Sequence, residues 1–141
     1  MYIILVAHGN LSVELLNTAE MICGKQNNCA TVSFIPGENV ETLKRKYNDI
    51  LKEVEKTEQV LIAVDLFGGS PYNAGFELAL QNETIDVITG LSIPMLLEIF
   101  TERENDGLKA TDVINKIHPQ EYIRSCKQLL KQMQKYEEED L

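Results

Sequence analysis

Three absences narrow the reading of this 141-residue chain before any motif is considered. Its three cysteines, Cys23, Cys29 and Cys126, are odd in number and contain no CxxC pair, which argues against a disulfide framework or a zinc site. No apolar stretch approaches the length of a membrane span. The short opening run Tyr2 to Ala7 has no basic flank and is too brief for a signal peptide, so a cytoplasmic protein is expected. Positive charge is also scarce: no lysine or arginine occurs from Met1 to Gly24 or between Lys56 and Arg103. With a formal net charge of -9, binding to nucleic acid through phosphate neutralisation is not expected. There is no internal repeat and no low-complexity linker, and 44% of residues are hydrophobic. One domain spanning residues 1–141 is expected, with a frayed acidic end at 137–141.

The most informative stretch runs from Val60 to Asn73. Val60 to Val64 is an apolar run of the kind that lies in a parallel sheet covered on both faces. It ends on a carboxylate, Asp65, and then passes through Leu66-Phe67-Gly68-Gly69 to Ser70-Pro71. Ser70 reads as a helix N-cap and Pro71 as the first helical residue. A carboxylate at the end of a strand would thus share its space with the free N–H groups of a helix start, an arrangement suited to anions. The plain alternative is a tight strand-to-helix turn that binds nothing.

Taken in order, Tyr2 to Ala7 reads as a buried strand ending at His8-Gly9-Asn10. Leu11, Leu15, Ala19 and Ile22 then follow helical spacing, with Asn10 or Ser12 as cap and Gly24 as terminator. Ala30 to Ile35 is a second strand, and Glu41 to Lys56 an amphipathic helix with a charged outer face. The central stretch supplies strand three and a helix from Ser70 to about Gln81. Ile85 to Gly90 is a fourth strand, followed by a helix from Ile93 broken at Asp106-Gly107. A further helix is expected from Ala110 to about Ile117. The last is expected from about Glu121 to Lys135, its stripe of Ile123, Cys126, Leu130 and Met133 packing on the body or on a second subunit.

This alternation predicts an α/β fold with a doubly wound, mainly parallel sheet in the flavodoxin-like order 2-1-3-4. Strands one and three are then neighbours, and ligands bind beyond their carboxyl ends. His8 ends one of these strands and Asp65 the other. A carboxylate on Nδ1 would fix the tautomer, leave Nε2 as a nucleophile and stabilise the developing imidazolium. Phosphate-transferring nucleotide enzymes rely on a lysine or arginine and a metal, but this region offers neither a Walker lysine nor a carboxylate cluster. A phosphohistidine relay without hydrolysis, metal or cofactor is the expectation. His118, beside Pro119, is expected to be a surface residue, with no carboxylate or glycine turn placed for it.

The motifs Ala7-His8-Gly9, Phe34-Ile35-Pro36-Gly37-Glu38-Asn39, Asp65 to Pro71 with Asn73, and Gly90-Leu91-Ser92-Ile93-Pro94-Met95 occur in that order. In them the chain resembles the IIA domains of the mannose, fructose and sorbose class of the bacterial phosphoenolpyruvate-dependent sugar phosphotransferase system. The resemblance runs from about Met1 to Arg103. It implies that His8 is the phosphoacceptor and Asp65 its hydrogen-bonding partner, with Gly9, Gly68, Gly69 and Ser70 contacting phosphate. It further implies HPr as donor, a separate IIB component as acceptor, an indirect link to a membrane IIC and IID pair, and a homodimer that exchanges a C-terminal strand. For that strand the resemblance points to Tyr122 to Cys126, where the residue spacing favours helix.

Three rivals use the same residues. A receiver domain needs an acidic pair after strand one, which His8-Gly9-Asn10 does not supply. A flavin-binding or other non-catalytic ligand module would leave the histidine and carboxylate unexplained. The phosphotransfer subunit of dihydroxyacetone kinase also carries a histidine after strand one, but the Phe67-Gly68-Gly69-Ser70-Pro71 turn favours the sugar-transport branch.

Overall fold

The computed structural model describes residues 1–141. Four strands, β1 (Tyr2–His8), β2 (Cys29–Phe34), β3 (Val60–Val64) and β4 (Ile85–Thr89), form one parallel sheet in the order β2-β1-β3-β4. This is the strand order expected from the sequence. Helices α1 (Leu11–Cys23), α2 (Val40–Leu51), α3 (Ser70–Gln81) and α4 (Ile93–Glu102) follow the strands in turn, and α5 (Cys126–Glu139) closes the chain.

The period-two geometry of a strand explains why the central runs are apolar throughout. Ile3 and Leu5 of β1 and Leu61 and Ala63 of β3 join Ala19, Leu96, Ile99 and Val113 on one face. Ile4, Val6, Val60, Ile62 and Val64 join Leu43, Tyr47 and Ala74 on the other. Every residue of β3 is buried, so a polar substitution anywhere along it would be desolvated. α2 is set by Asn39, whose side chain accepts from the Thr42 N–H at 3.0 Å, while the Thr42 side chain faces back to the Asn39 N–H.

Several boundaries differ from expectation. α2 ends at Leu51, not Lys56; the chain tightens through Glu53 N–H to Ile50 and Val54 N–H to Leu51 so that it can enter β3. Gly69 is the N-cap of α3, and Ser70 is its first helical residue. Ser12 does not cap α1: it is buried and its hydroxyl donates to the Val32 carbonyl at 2.9 Å, while Leu11 and Ile22 are exposed. The segment Ala110–Asn115 is a 3-10 helix. Its three-residue turn aligns Ala110 with Val113 toward the core and leaves Ile114 outside.

The C-terminal segment differs most. A 3-10 turn occupies Pro119–Glu121 and α5 begins at Cys126, capped by the Ser125 hydroxyl, which accepts from the Gln128 N–H at 3.4 Å. It extends through Glu137–Glu139, into the acidic end. Tyr122 to Cys126 adds no strand to the sheet. The expected stripe does not pack on the body: Ile123 is 90% and Met133 62% exposed.

Candidate functional site

β1 and β3 lie side by side, and the chain leaves them at His8 and Asp65. The separation of 57 residues in sequence closes to hydrogen-bonding distance. Asp65 Oδ2 accepts from the His8 backbone N–H at 2.9 Å and lies 2.9 Å from His8 Nδ1. The same oxygen thereby holds the residue at its backbone and its ring, fixing χ1 and χ2 of the imidazole together. The His8 side chain is 47% exposed while that of Asp65 is 14% exposed, so the ring faces solvent over a largely covered carboxylate. Asp65 Oδ1 is buried with no protein partner. With Nδ1 donating to Asp65, the neutral ring carries its lone pair on Nε2.

The surrounding backbone shapes the space around Nε2. Gly9 takes φ +60 directly after His8 and donates its N–H to the Phe34 carbonyl at 2.8 Å, turning the chain away from the imidazole. Phe34 meets the ring edge-on, centroids 5.3 Å apart. Gly69 lies closer still: a Cβ there would stand 3.3 Å from His8 Cε1, so this position leaves a side chain almost no room. Gly68, at φ +79, makes the preceding bend. Asn73 ties that bend to α3, its side-chain amide reaching the Gly68 carbonyl at 3.4 Å and its N–H the Gly69 carbonyl at 2.9 Å. The first turn of α3 offers unpaired N–H groups, as any helix start must, with Pro71 contributing none.

The structure therefore brings His8, Asp65, Gly68, Gly69 and Ser70 into one region at the carboxyl ends of β1 and β3, with Gly9 at its edge. Reading the sequence missed Tyr47 of α2, whose buried hydroxyl donates to the Pro71 carbonyl at 2.8 Å. Its phenol is held well above the ordinary tyrosine value, by burial first and then by the Asp65 charge. A tyrosine on the inner stripe of a helix reads as core, and nothing in its spacing marks the hydroxyl.

His118 requires a correction. A carboxylate is placed for it: Glu98 of α4 accepts from the His118 N–H at 2.9 Å and lies 2.8 Å from its Nδ1, while the Tyr122 hydroxyl donates to the same carboxylate. The pair is separated by 20 residues and formed only when the chain folds back over α4. No glycine turn accompanies it. The hydrogen bond to Glu98 raises the His118 pKa, and the charges of Glu98, Glu121 and Glu102 add to this. Burial alone would raise Glu98, but hydrogen bonds from Tyr122 and from the His118 backbone and ring hold it below its ordinary value.

A histidine raised in the fold adds stability that is complete below its unfolded pKa and lost as pH rises through the folded one. The lowered Glu98 adds stability present above its unfolded pKa and lost as pH falls through the folded one. The clasp is therefore strongest between the ordinary carboxyl range and about pH 6.5. His118→Gln is expected to lower the melting temperature slightly at pH 6 and by less at pH 9. An equal difference at both pH values would show that the protonated imidazole contributes nothing.

Comparison with known proteins places the chain in a family. A family model described as PTS system fructose IIA component matches residues 2–118. The chain is 35% identical over 133 residues to the PTS system fructose-specific EIIA component of Bacillus subtilis, covering 93% of this chain and 90% of the relative. It is 44% identical over 104 residues to the PTS system mannose-specific EIIAB component of Escherichia coli K12, covering 74% of this chain but only 32% of that relative, so the chain spans about a third of it. Among solved structures, phosphotransferase system component EIIA from Streptococcus agalactiae superposes with a TM-score of 0.80 at 27% identity, over 90% of this chain and 98% of that one. With the fold and most of the chain matched, the protein belongs to the mannose, fructose and sorbose class of IIA components of the sugar phosphotransferase system.

Proposed function

We propose that this chain is a phosphocarrier: Nε2 of His8 accepts a phosphoryl group from the phosphohistidine of HPr and passes it to a IIB component for sugar uptake. The observation that carries the reading is the clasp of His8 by Asp65 through Nδ1 and the backbone N–H, both at 2.9 Å, which leaves Nε2 free on an exposed ring. In the transfer step the P–N bond to the donor imidazole breaks as the P–N bond to Nε2 forms. Positive charge on the His8 ring is compensated by Asp65, which retains the Nδ1 proton as a hydrogen bond. Gly68, Gly69 and Ser70, with Gly9 at the edge and its own N–H engaged by Phe34, would form the wall against which the phosphoryl oxygens lie, met by backbone dipoles instead of fixed cations. Such a site stabilises the group without holding it strongly, as a relay requires.

No helix of the protein is long and apolar enough to cross a membrane, and a link to membrane IIC and IID subunits would run through IIB. A homodimer is part of the reading, supported by the uncovered apolar positions Ile123, Leu130 and Met133 in the C-terminal segment. The test is a two-stage incubation. Phosphoenolpyruvate, enzyme I and HPr should load the chain with one acid-labile phosphoryl group, and adding IIB should discharge it. Loading that never occurs, or rapid release as inorganic phosphate without IIB, would contradict the relay.

A further inference from the structure

We propose that Tyr47 is a positioning residue for phosphoryl transfer, its buried hydroxyl fixing the first turn of α3 and hence the distance between the glycine turn and His8. This rests on the phosphocarrier reading and assigns it a residue on α2, a helix that carries none of the other proposed site residues.

Tyr47 is fully buried in the apolar layer that includes Leu43, Ile62, Val64 and Ala74. A phenylalanine would fill that space without burying a polar group, and a buried hydroxyl is costly unless it is bonded. Its single donated bond goes to the Pro71 carbonyl at 2.8 Å, crossing from α2 to the first turn of α3. A carbonyl at that position can also accept from the helix ladder, so the hydroxyl uses a remaining lone pair; its effect is on where α3 begins.

That position is tightly constrained. Gly69 directly precedes Ser70, and even a Cβ on it would come within 3.3 Å of His8 Cε1. Asn73 bonds both Gly68 and Gly69 carbonyls, so the glycine turn and the first turn of α3 move as one body. Tyr47 anchors this body to α2, while Asp65 anchors the imidazole through β1 and β3. Two separate anchors thus set one short gap, across which the phosphoryl oxygens must meet backbone N–H groups. Burial and the Asp65 charge keep the phenol protonated, and therefore a donor, while the site is in use.

The test compares Tyr47→Phe, which keeps the ring and its packing, with Tyr122→Phe, which removes a hydroxyl bound to Glu98 on the opposite face of the sheet. Both are assayed for phosphoryl transfer from phosphorylated HPr at a temperature where circular dichroism shows them folded. Tyr47→Phe is expected to lower the maximal rate about tenfold with the apparent KM for phosphorylated HPr unchanged, since misplacing a stabilising group affects the transition state and the buried ring cannot touch a partner. The amide resonances of Gly69 and Ser70 should shift. Tyr122→Phe should change neither rate nor those amides. Asn73→Ala, at an exposed position, provides a second route to the same body: it should also slow transfer, and the double variant should lose less than the product of the two.

A Tyr47→Phe rate equal to wild type with unmoved Gly69 and Ser70 amides would overturn the assignment. So would a loss matched by Tyr122→Phe, which would reduce it to general stability. Wild-type protein that takes no phosphoryl group at His8 would instead refute the carrier reading, and this inference with it.

Discussion

His8→Ala is expected to abolish phosphoryl uptake from phosphorylated HPr, whereas His118→Ala should be labelled as fully as wild type. The contrast is informative because the two histidines are held alike. Each offers its backbone N–H and Nδ1 to one carboxylate, Asp65 for His8 and Glu98 for His118, at 2.8 to 2.9 Å. The tautomer alone therefore cannot select the acceptor. Selection is expected to lie in what surrounds Nε2: His8 adjoins Gly69 and the start of α3, where backbone N–H groups favour an anion. His118 lies in the field of Glu98, Glu121 and Glu102, which repels a dianionic phosphoryl group and favours a protonated, non-nucleophilic ring. Label retained in folded His8→Ala, or lost in folded His118→Ala, would reverse the assignment.

Asp65→Asn should slow single-turnover transfer by roughly two to four orders of magnitude, the usual cost when an imidazole loses its carboxylate partner. The shape is conserved and the backbone N–H of His8 can still be accepted by the amide oxygen, so the fold should survive. One thing is lost whichever way the amide turns. No negative charge compensates the imidazolium as the donor P–N bond breaks. Because one oxygen, Oδ2, serves both contacts, an asparagine oxygen there can still accept from Nδ1, but an amide nitrogen turned toward the ring would enforce the wrong tautomer. Asp65→Ala should be at least as slow. Wild-type single-turnover rates in Asp65→Asn would show that the carboxylate only supports structure.

How much of this was legible in the sequence depended on whether information lay within one element or between several. Val60 to Val64, with no polar interruption, specifies a strand covered on both faces; its bounds are the observed ones. Strand order followed from alternating elements, and strand order alone brought His8 and Asp65 together. Gly68-Gly69-Ser70-Pro71 announced a helix start, although the cap is Gly69 and not Ser70. What could not be read were contacts that depend on packing between distant segments. Tyr47 has the spacing of a core residue, and its partner Pro71 is 24 residues away. Glu98 and His118 meet only through the turn that carries the chain across α4. The spacing of Ile123, Cys126, Leu130 and Met133 specifies a helix in the C-terminal segment, but the helix starts at Cys126 because Pro119 and the Tyr122 to Glu98 bond hold the preceding residues in another path.

The phosphocarrier proposal is tested most directly by the ring position that carries phosphate in the loaded protein. Asp65 holds Nδ1 at 2.9 Å, on the ring edge away from the open Nε2, so the proposed transfer is expected to form its bond at Nε2. Phosphorus and nitrogen NMR on protein with labelled histidine distinguishes the two isomers by their shifts and phosphorus–nitrogen couplings. The expected result is a single phosphohistidine at His8 with phosphorus on Nε2 and an Nδ1 proton still hydrogen-bonded. Phosphorus on Nδ1 of His8 would require the Asp65 clasp to be broken for catalysis and would contradict the mechanism.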